Sequence, residues 1–214
     1  INVTNTDDAA TGTLAVTGTF AEGQTLTADT SNISDVDGTL TFTYQWQESD
    51  DDDTFANIGG ATNSTFDLTN AQTYVGKYIR LTAVSTDSQG GTTSKNSSSS
   101  QVSNVNDAPT DMALSASAID ENSAIGTTVA TVTTTDVDSG DTTAYEQIGG
   151  TGADIFNISS PGGVITTEAA INHEAAASYT YQIRVTDSGS ATYTETFTIT
   201  INDVNEAPTI SGTP

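Results

Sequence analysis

The sequence predicts an all-β chain: two tandem Greek-key β-sandwiches joined end to end. Three observations carry this expectation: an acidic connector recurs at fixed spacing, apolar and polar residues alternate in short runs, and small β-formers dominate the composition. The segments Val3-Thr4-Asn5-Thr6-Asp7-Asp8-Ala9-Ala10, Val102-Ser103-Asn104-Val105-Asn106-Asp107-Ala108-Pro109 and Ile201-Asn202-Asp203-Val204-Asn205-Glu206-Ala207-Pro208 follow one another at a constant offset of 99 residues. Each leads from a β-branched residue through several side-chain oxygens to Ala and then Pro or Ala. Such a segment is a strand end feeding a stiff, oxygen-rich hinge.

The connectors divide the chain into a remnant of a preceding repeat at 1–8, a first sandwich at 9–107, a second at 108–206 and the start of another repeat at 207–214. Each full repeat has a common domain length, and further repeats are expected on either side. The 28 acids face only Lys77, Arg80, Lys95 and Arg184, for a net charge of −24. That balance disfavours nucleic acid and anionic membranes and calls for an offsetting cation. The absence of cysteine excludes disulfides, thiolate metal sites and thiol catalysis. No apolar run is long enough for membrane insertion. With one histidine and no nucleophile elbow, an enzyme is not expected.

In the first repeat, Leu14-Ala15-Val16 and Leu26 mark the opening strands. Leu40, Phe42, Tyr44 and Trp46 then fall on one face of a strand, and Thr41, Thr43, Gln45 and Gln47 on the other. Trp46, the single tryptophan, is assigned to the core. Phe66, Leu68, Ile79, Leu81 and Ala83 are expected to supply the opposing sheet, and Asp50 to Asp53 a solvated hairpin loop. In the second repeat the apolar set is Val129, Val132, Phe156, Ile158, Val164, Ile165, Tyr181, Ile183, Val185, Phe197, Ile199 and Ile201. Tyr181-Ile183-Val185 and Phe197-Ile199-Ile201 alternate with polar residues, as half-buried antiparallel strands do. Residues 166–177, rich in Ala and Glu, offer at most one helical turn.

The run Gly18 to Leu26, with Asp35-Val36-Asp37-Gly38, Tyr44-Gln45-Trp46-Gln47, Val75 to Arg80 and Thr86-Asp87, resembles the bacterial immunoglobulin-like repeat of giant secreted adhesins. The second repeat resembles a cadherin domain through Asp120-Glu121-Asn122, Asp136-Val137-Asp138-Ser139-Gly140, Ile171-Asn172-His173-Glu174, Tyr181 to Asp187 and Asp203 to Pro208. Together the resemblances imply an immunoglobulin-like sandwich followed by a cadherin-like one, with calcium as the bound ion. Calcium takes six to eight hard oxygens and needs neither His nor Cys, which suits this chain.

The family arrangement implies three groups of ligands. A central junction takes Glu22, Asn104, Asn106, Asp107, Asp136, Asp138 and Asp187; an N-terminal partial site takes Asn5, Asp7, Asp8, Asp35, Asp37 and Asp87; and a C-terminal partial site takes Glu121, Glu174, Asp203, Asn205 and Glu206. Glu22 and Glu121 share the 99-residue offset of the connectors. Asn104 and Glu206 stand where the family carries Asp, and the element Asn172-His173-Glu174 has only Asp67 and Asn70 as loose counterparts in the first repeat. Asp-Val-Asp-Gly is equally an ordinary turn sequence, so these readings remain alternatives residue by residue. His173 is expected to be exposed.

The implied function is a calcium-rigidified extender of a bacterial cell-surface adhesin, secreted, monomeric and in contact with neighbouring repeats of its own polypeptide. The alternative is a module that binds cell-surface carbohydrate or a protein ligand, for which Tyr74, Tyr78, Tyr145 and Tyr193 are candidate exposed aromatics.

Overall fold

Alternating side chains on short Thr-rich strands leave one apolar face per sheet, and two such faces must cover each other. The computed structural model, which describes residues 6–69 and 72–207, is built this way throughout. Asn5, Asn70, Pro208 and most of both terminal segments lie outside the described residues. The chain divides into two compact units, Ile1–Val105 and Asn106–Pro214. All regular structure among the described residues is strand, and no helix is long and apolar enough to cross a membrane.

In the first unit, β1 (Ala15–Thr17), β2 (Thr25–Asp29) and β5 (Thr65–Asp67) form one sheet, in the order β1-β2-β5. The other contains β3 (Thr41–Ser49), β4 (Ala56–Asn57), β6 (Tyr78–Thr86) and β7 (Thr92–Asn96), in the order β4-β3-β6-β7, with β8 (Ser100–Gln101) also paired to β6. The chain changes sheet between β2 and β3, so the sandwich closes over Leu26, Leu68, Trp46, Ile79 and Leu81, each at most 1% exposed. Trp46 stacks on Phe66 of the facing sheet at 5.4 Å between centroids, and its indole N–H donates to Asn63 O at 3.0 Å. The core position expected for Trp46 is therefore met.

One expectation is corrected. Phe66 and Leu68 do oppose Trp46, but Ile79, Leu81 and Ala83 lie on β6, which pairs with β3 in the same sheet, Trp46 opposite Leu81. Period-two alternation assigns a residue to a face but says nothing about which strand lies alongside. Asp50 to Asp53 form the exposed loop leading from β3 to β4. There Asp51 Oδ1 accepts from Asp53 N at 3.0 Å, Thr54 N at 2.9 Å and Ser49 Oγ at 2.8 Å.

In the second unit, β10 (Ala118–Asp120), β16 (Thr192–Asn202), β15 (Ser178–Thr186) and β12 (Ala144–Gly149) form one sheet in that order. The facing sheet runs β13 (Phe156–Ile158), β14 (Val164–Thr167), β11 (Thr128–Thr135), β9 (Asp111–Leu114). Tyr181, Ile183, Val185 and Ile199 are fully buried, joined by Met112, Ile119, Ala130 and Ile171, which periodicity did not single out. Phe156 meets Tyr179 and Tyr181 edge-on, each at 5.8 Å, and burial pushes the Tyr181 phenol up to about 12. Residues 166 and 167 complete β14 rather than starting a helix, and the Ala/Glu segment contributes only a turn at 173–175. β-Branched Thr166 and Thr167 suit the strand better than the helix.

The first and last parts of each unit meet through a short parallel pairing. Ala21 bridges Ser103 in the first unit, and β10 runs parallel to the end of β16, Asp120 opposite Asn202, in the second. The remaining strand pairs are antiparallel.

Trp46→Ala is expected to destabilise the first unit by about 3–5 kcal/mol, read from denaturant unfolding of the second unit as internal reference. The amides of Thr54 and Asp53 and the Ser49 hydroxyl hold Asp51 down to about 2. Because the native carboxyl is the stronger acid, its contribution is complete above the ordinary value of 3.8 and vanishes as pH falls towards about 2. Asp51→Ala is expected to flatten the melting-temperature loss across that window, measured by calorimetry.

Candidate metal centres

The predicted ligands collect at the two ends of each unit. At the upper end of the first, Asp8 N donates to Asp37 Oδ2 at 2.6 Å and Asp37 N to Asp35 Oδ1 at 2.8 Å. At the upper end of the second, Asp107 N donates to Asp138 Oδ2 at 2.8 Å and Asp138 N to Asp136 Oδ1 at 2.9 Å. Two sequences of different family likeness thus build one network, in which each connector amide clasps an Asp-Val-Asp turn.

The networks differ where the connector side chain meets the next aspartate. Asp7 in the first unit corresponds to Asn106 in the second at the 99-residue offset. Asn106 Nδ2 donates to Asp187 Oδ2 at 3.0 Å, and Asp187 Oδ1 accepts from Ala191 N at 2.8 Å. Asp7 instead sets a carboxyl against Asp87, which accepts from Gln89 N at 2.7 Å and Gly91 N at 3.0 Å. Both carboxyls sit over Gly91, where a Cβ would overlap them. The hydrogen bond to Asp87 raises the Asp7 pKa, helped by desolvation and by repulsion from Asp87, Asp37 and Asp35. Burial works against ionisation of Asp87, but the Gln89 amide, Asp7 and the Gly91 and Gly90 amides outweigh it and hold that carboxyl low.

The lower ends are organised by the two glutamates. Glu22 N donates to Ser103 O at 3.0 Å and Glu121 N to Asn202 O at 3.1 Å, so the parallel pairing places each glutamate beside the strand that leaves for the connector. Both are buried, at 4% and 3% exposure. Glu121 accepts from Val204 N at 2.8 Å and His173 N at 2.7 Å, and these donors keep its carboxyl below the usual range. Oxygens of Glu121, Glu174 and Glu206 lie within 4.8 Å of one another. His173, Glu174 and Asp203 form a second such group, while Asn205 is exposed in the connector between Asp203 and Glu206. His173 is half-buried, not exposed as expected, because its backbone anchors it to Glu121. At the first unit's base, Glu22 is held by Gln72, whose N donates to Oε1 at 3.2 Å and Nε2 to Oε2 at 3.1 Å; Gln72 Nε2 also donates to Asn104 Oδ1 at 2.7 Å. Asp67 is exposed and bonded to Thr25 Oγ1 at 2.6 Å instead, so it takes no part in this network.

The donor set fits a hard cation. Asp136, Asp141 and Asp187 each offer an oxygen within 4.8 Å of the others. Two oxygens on one calcium, each about 2.4 Å from it, can stand at most about 4.8 Å apart. Asp136 Oδ2 is buried with no hydrogen-bond donor among the described residues, an arrangement that costs free energy unless a cation or water serves it. Three of the four basic side chains are engaged elsewhere: Lys77 pairs with Glu48 at 3.3 Å and Asp50 at 3.0 Å, Arg184 with Glu146, and Arg80 lies 3.8 Å from the Phe55 ring centroid. Asp141 and Gln72 escaped the sequence reading. Asp141 directly follows the Asp-Val-Asp-Ser-Gly motif, a usable signal; it accepts from Ser188 Oγ, which lowers its pKa. Gln72 carries no sequence signal at all.

Residues 115–202 match the family model of the cadherin domain, and residues 10–107 match a domain of unknown function (DUF8696). None of the curated proteins matches the chain. Among solved structures, the chain is similar to protocadherin gamma B2 extracellular cadherin domains 3-6, with a TM-score of 0.53 and 14% identity over 91% of this chain and 52% of that one. Human CDH23 EC21-23 gives 0.54 and 16% over 81% and 62%, and human protocadherin-24 EC1-2 gives 0.54 and 17% over 81% and 86%. The chain spans about half the length of the protocadherin gamma B2 fragment. These likenesses establish a cadherin-like β-sandwich fold.

Asp7→Asn gives the first unit the amide–carboxylate pair of the second. A carboxyl whose native pKa is raised costs stability once pH exceeds it. In chelator, the substitution is therefore expected to raise the first unit's melting temperature at neutral pH and to leave it unchanged at pH about 3, measured by calorimetry.

Proposed function

We propose that this chain is a pair of calcium-rigidified extender repeats from the stalk of a large, secreted bacterial cell-surface adhesin, its ions bound where successive repeats join. The observation that carries this reading is the buried, undonated Asp136 Oδ2 inside a group of three carboxylates at the end of a unit. Asp136, Asp138, Asp187, Asn106 and Asp107, together with Glu22 and Asn104 from the preceding repeat, are the residues proposed to hold calcium at the central junction. Asp7, Asp8, Asp35, Asp37 and Asp87 would serve the junction above, and Glu121, Glu174, Asp203, Asn205 and Glu206 the one below. Bound calcium supplies divalent charge and six to eight coordination positions. The chain's part is to orient its oxygens in advance. Connector amides clasp the Asp-Val-Asp turns, and amides of Val204 and His173 keep Glu121 ionised at the base.

Electrostatics and entropy together make this a spacer. Without cations, clustered carboxylates repel, and the connector keeps its conformational freedom. Shared ligands remove both effects, and a sequence of net charge −24 needs some such counterion. Partners are then neighbouring repeats of the same polypeptide. The carbohydrate-binding alternative is less well supported: of its candidate aromatics, Tyr74, Tyr145 and Tyr193 pack against the two cores and Tyr78 is half-buried on β6.

Calorimetric titration is expected to show saturable calcium uptake with dissociation constants of about 10⁻⁴ to 10⁻³ M. Small-angle scattering in calcium and in chelator is expected to show a longer, stiffer particle with the ion. An unchanged maximum dimension would overturn the spacer reading. Asp107→Ala is expected to abolish that difference while leaving both units' thermal transitions in place.

A further inference from the structure

We propose that Gln72 is an internal stand-in for a cation at the base of the first unit, an amide that holds the ligands in place without calcium and competes with calcium for them. The proposal rests on the calcium reading above and concerns one side chain that no motif marked. Gln72 Nε2 sits between Glu22 Oε2, at 3.1 Å, and Asn104 Oδ1, at 2.7 Å, while Gln72 N reaches Glu22 Oε1 at 3.2 Å. A donor between two oxygen ligands does electrostatically what a cation does there, at a fraction of its charge.

The second unit shows what the first has given up. Its base glutamate, Glu121, also accepts a backbone N–H from the neighbouring loop, that of His173. Beyond that amide the loop presents Glu174, whose carboxylate groups with Glu121 and Glu206. The corresponding loop of the first unit follows Leu68, whose carbonyl accepts from Gly23 N at 2.6 Å as Ile171 O accepts from Asn122 N at 3.1 Å. It presents the Gln72 side-chain amide to Glu22, whereas the loop of the second unit presents the Glu174 carboxylate to Glu121. Asn104 likewise replaces the Asp203 carboxylate at the 99-residue offset. Charge count sets calcium affinity in oxygen sites. The first base thus lacks the negative charge that Asp203 supplies and carries a donor that calcium must displace. Gln72 adopts a left-handed backbone, φ +56°, uncommon for a residue with a side chain, and in that conformation both its backbone N–H and its side-chain amide donate to Glu22.

Gln72→Glu and Gln72→Gly separate the two roles, and glycine suits the left-handed backbone. Trp46 is the single tryptophan and lies in the first unit, so fluorescence-monitored melting reads that unit alone. In chelator, both variants are expected to melt below wild type. In calcium chloride, Gln72→Glu is expected to bind about tenfold more tightly by calorimetry and to melt above wild type, reversing the order. Gln72→Gly is expected to bind severalfold more tightly. Saturable calcium uptake by wild type with unchanged affinity in both variants would overturn the stand-in. No uptake by any of the three would overturn the calcium reading itself, and an unchanged melting temperature in chelator would show that the latch does not exist.

Discussion

The backbone hydrogen bond from each base glutamate to the segment that leaves the sandwich, Glu22 N to Ser103 O and Glu121 N to Asn202 O, is the constraint on which the acidic ends depend. It closes a parallel pairing between segments about eighty residues apart, and sheet closure would be poorer without it. Its consequence is chemical as well as structural. The pairing buries a carboxylate next to the point where the chain leaves the sandwich, so that the connector's oxygens begin beside an acid already held in place. Burial of Glu121 is tolerated because Val204 N–H and His173 N–H satisfy its oxygens.

Everything at the opposite ends follows a related logic. A connector amide donates to the second aspartate of an Asp-Val-Asp turn, and that aspartate's own amide donates to the first. These neutral donors orient carboxylates without neutralising them. Lys77 and Arg184 pair with acids away from these turns, and exposed pairs of that kind contribute little to stability. The acids of these turns are therefore positioned by neutral backbone donors.

Against this shared scaffold, single substitutions set the two units apart. Asp7 against Asp87 leaves two carboxyls in contact where Asn106 and Asp187 form a complementary pair. Gln72 covers the glutamate that in the second unit stands in a group with Glu174 and Glu206. The first exchange adds negative charge at the top of the first unit; at its base, Asn104 stands where the second unit has Asp203. The ends of a unit are thus tuned separately while the cores, built from Trp46 in one and Tyr181 in the other, keep the same two-layer plan.

Sequence alone determined the all-β class, the faces of the main strands, the recurrence of the connectors and most of the acids that gather at the ends. These are local properties: alternation, turn chemistry and spacing are written in neighbouring residues, and the tandem offset shows directly in the chain. Tertiary structure alone decided that Ile79, Leu81 and Ala83 pair beside Trp46 instead of facing it, that Met112 and Ile171 enter the core, and that His173 is half-buried. It also brought Asp141 to Asp136 and Asp187, and Gln72 to Glu22. Those outcomes depend on which distant strands and loops become neighbours, a matter settled by closing the sandwich as a whole, and no window of sequence around Gln72 or Asp141 contains the partner that gives the residue its role.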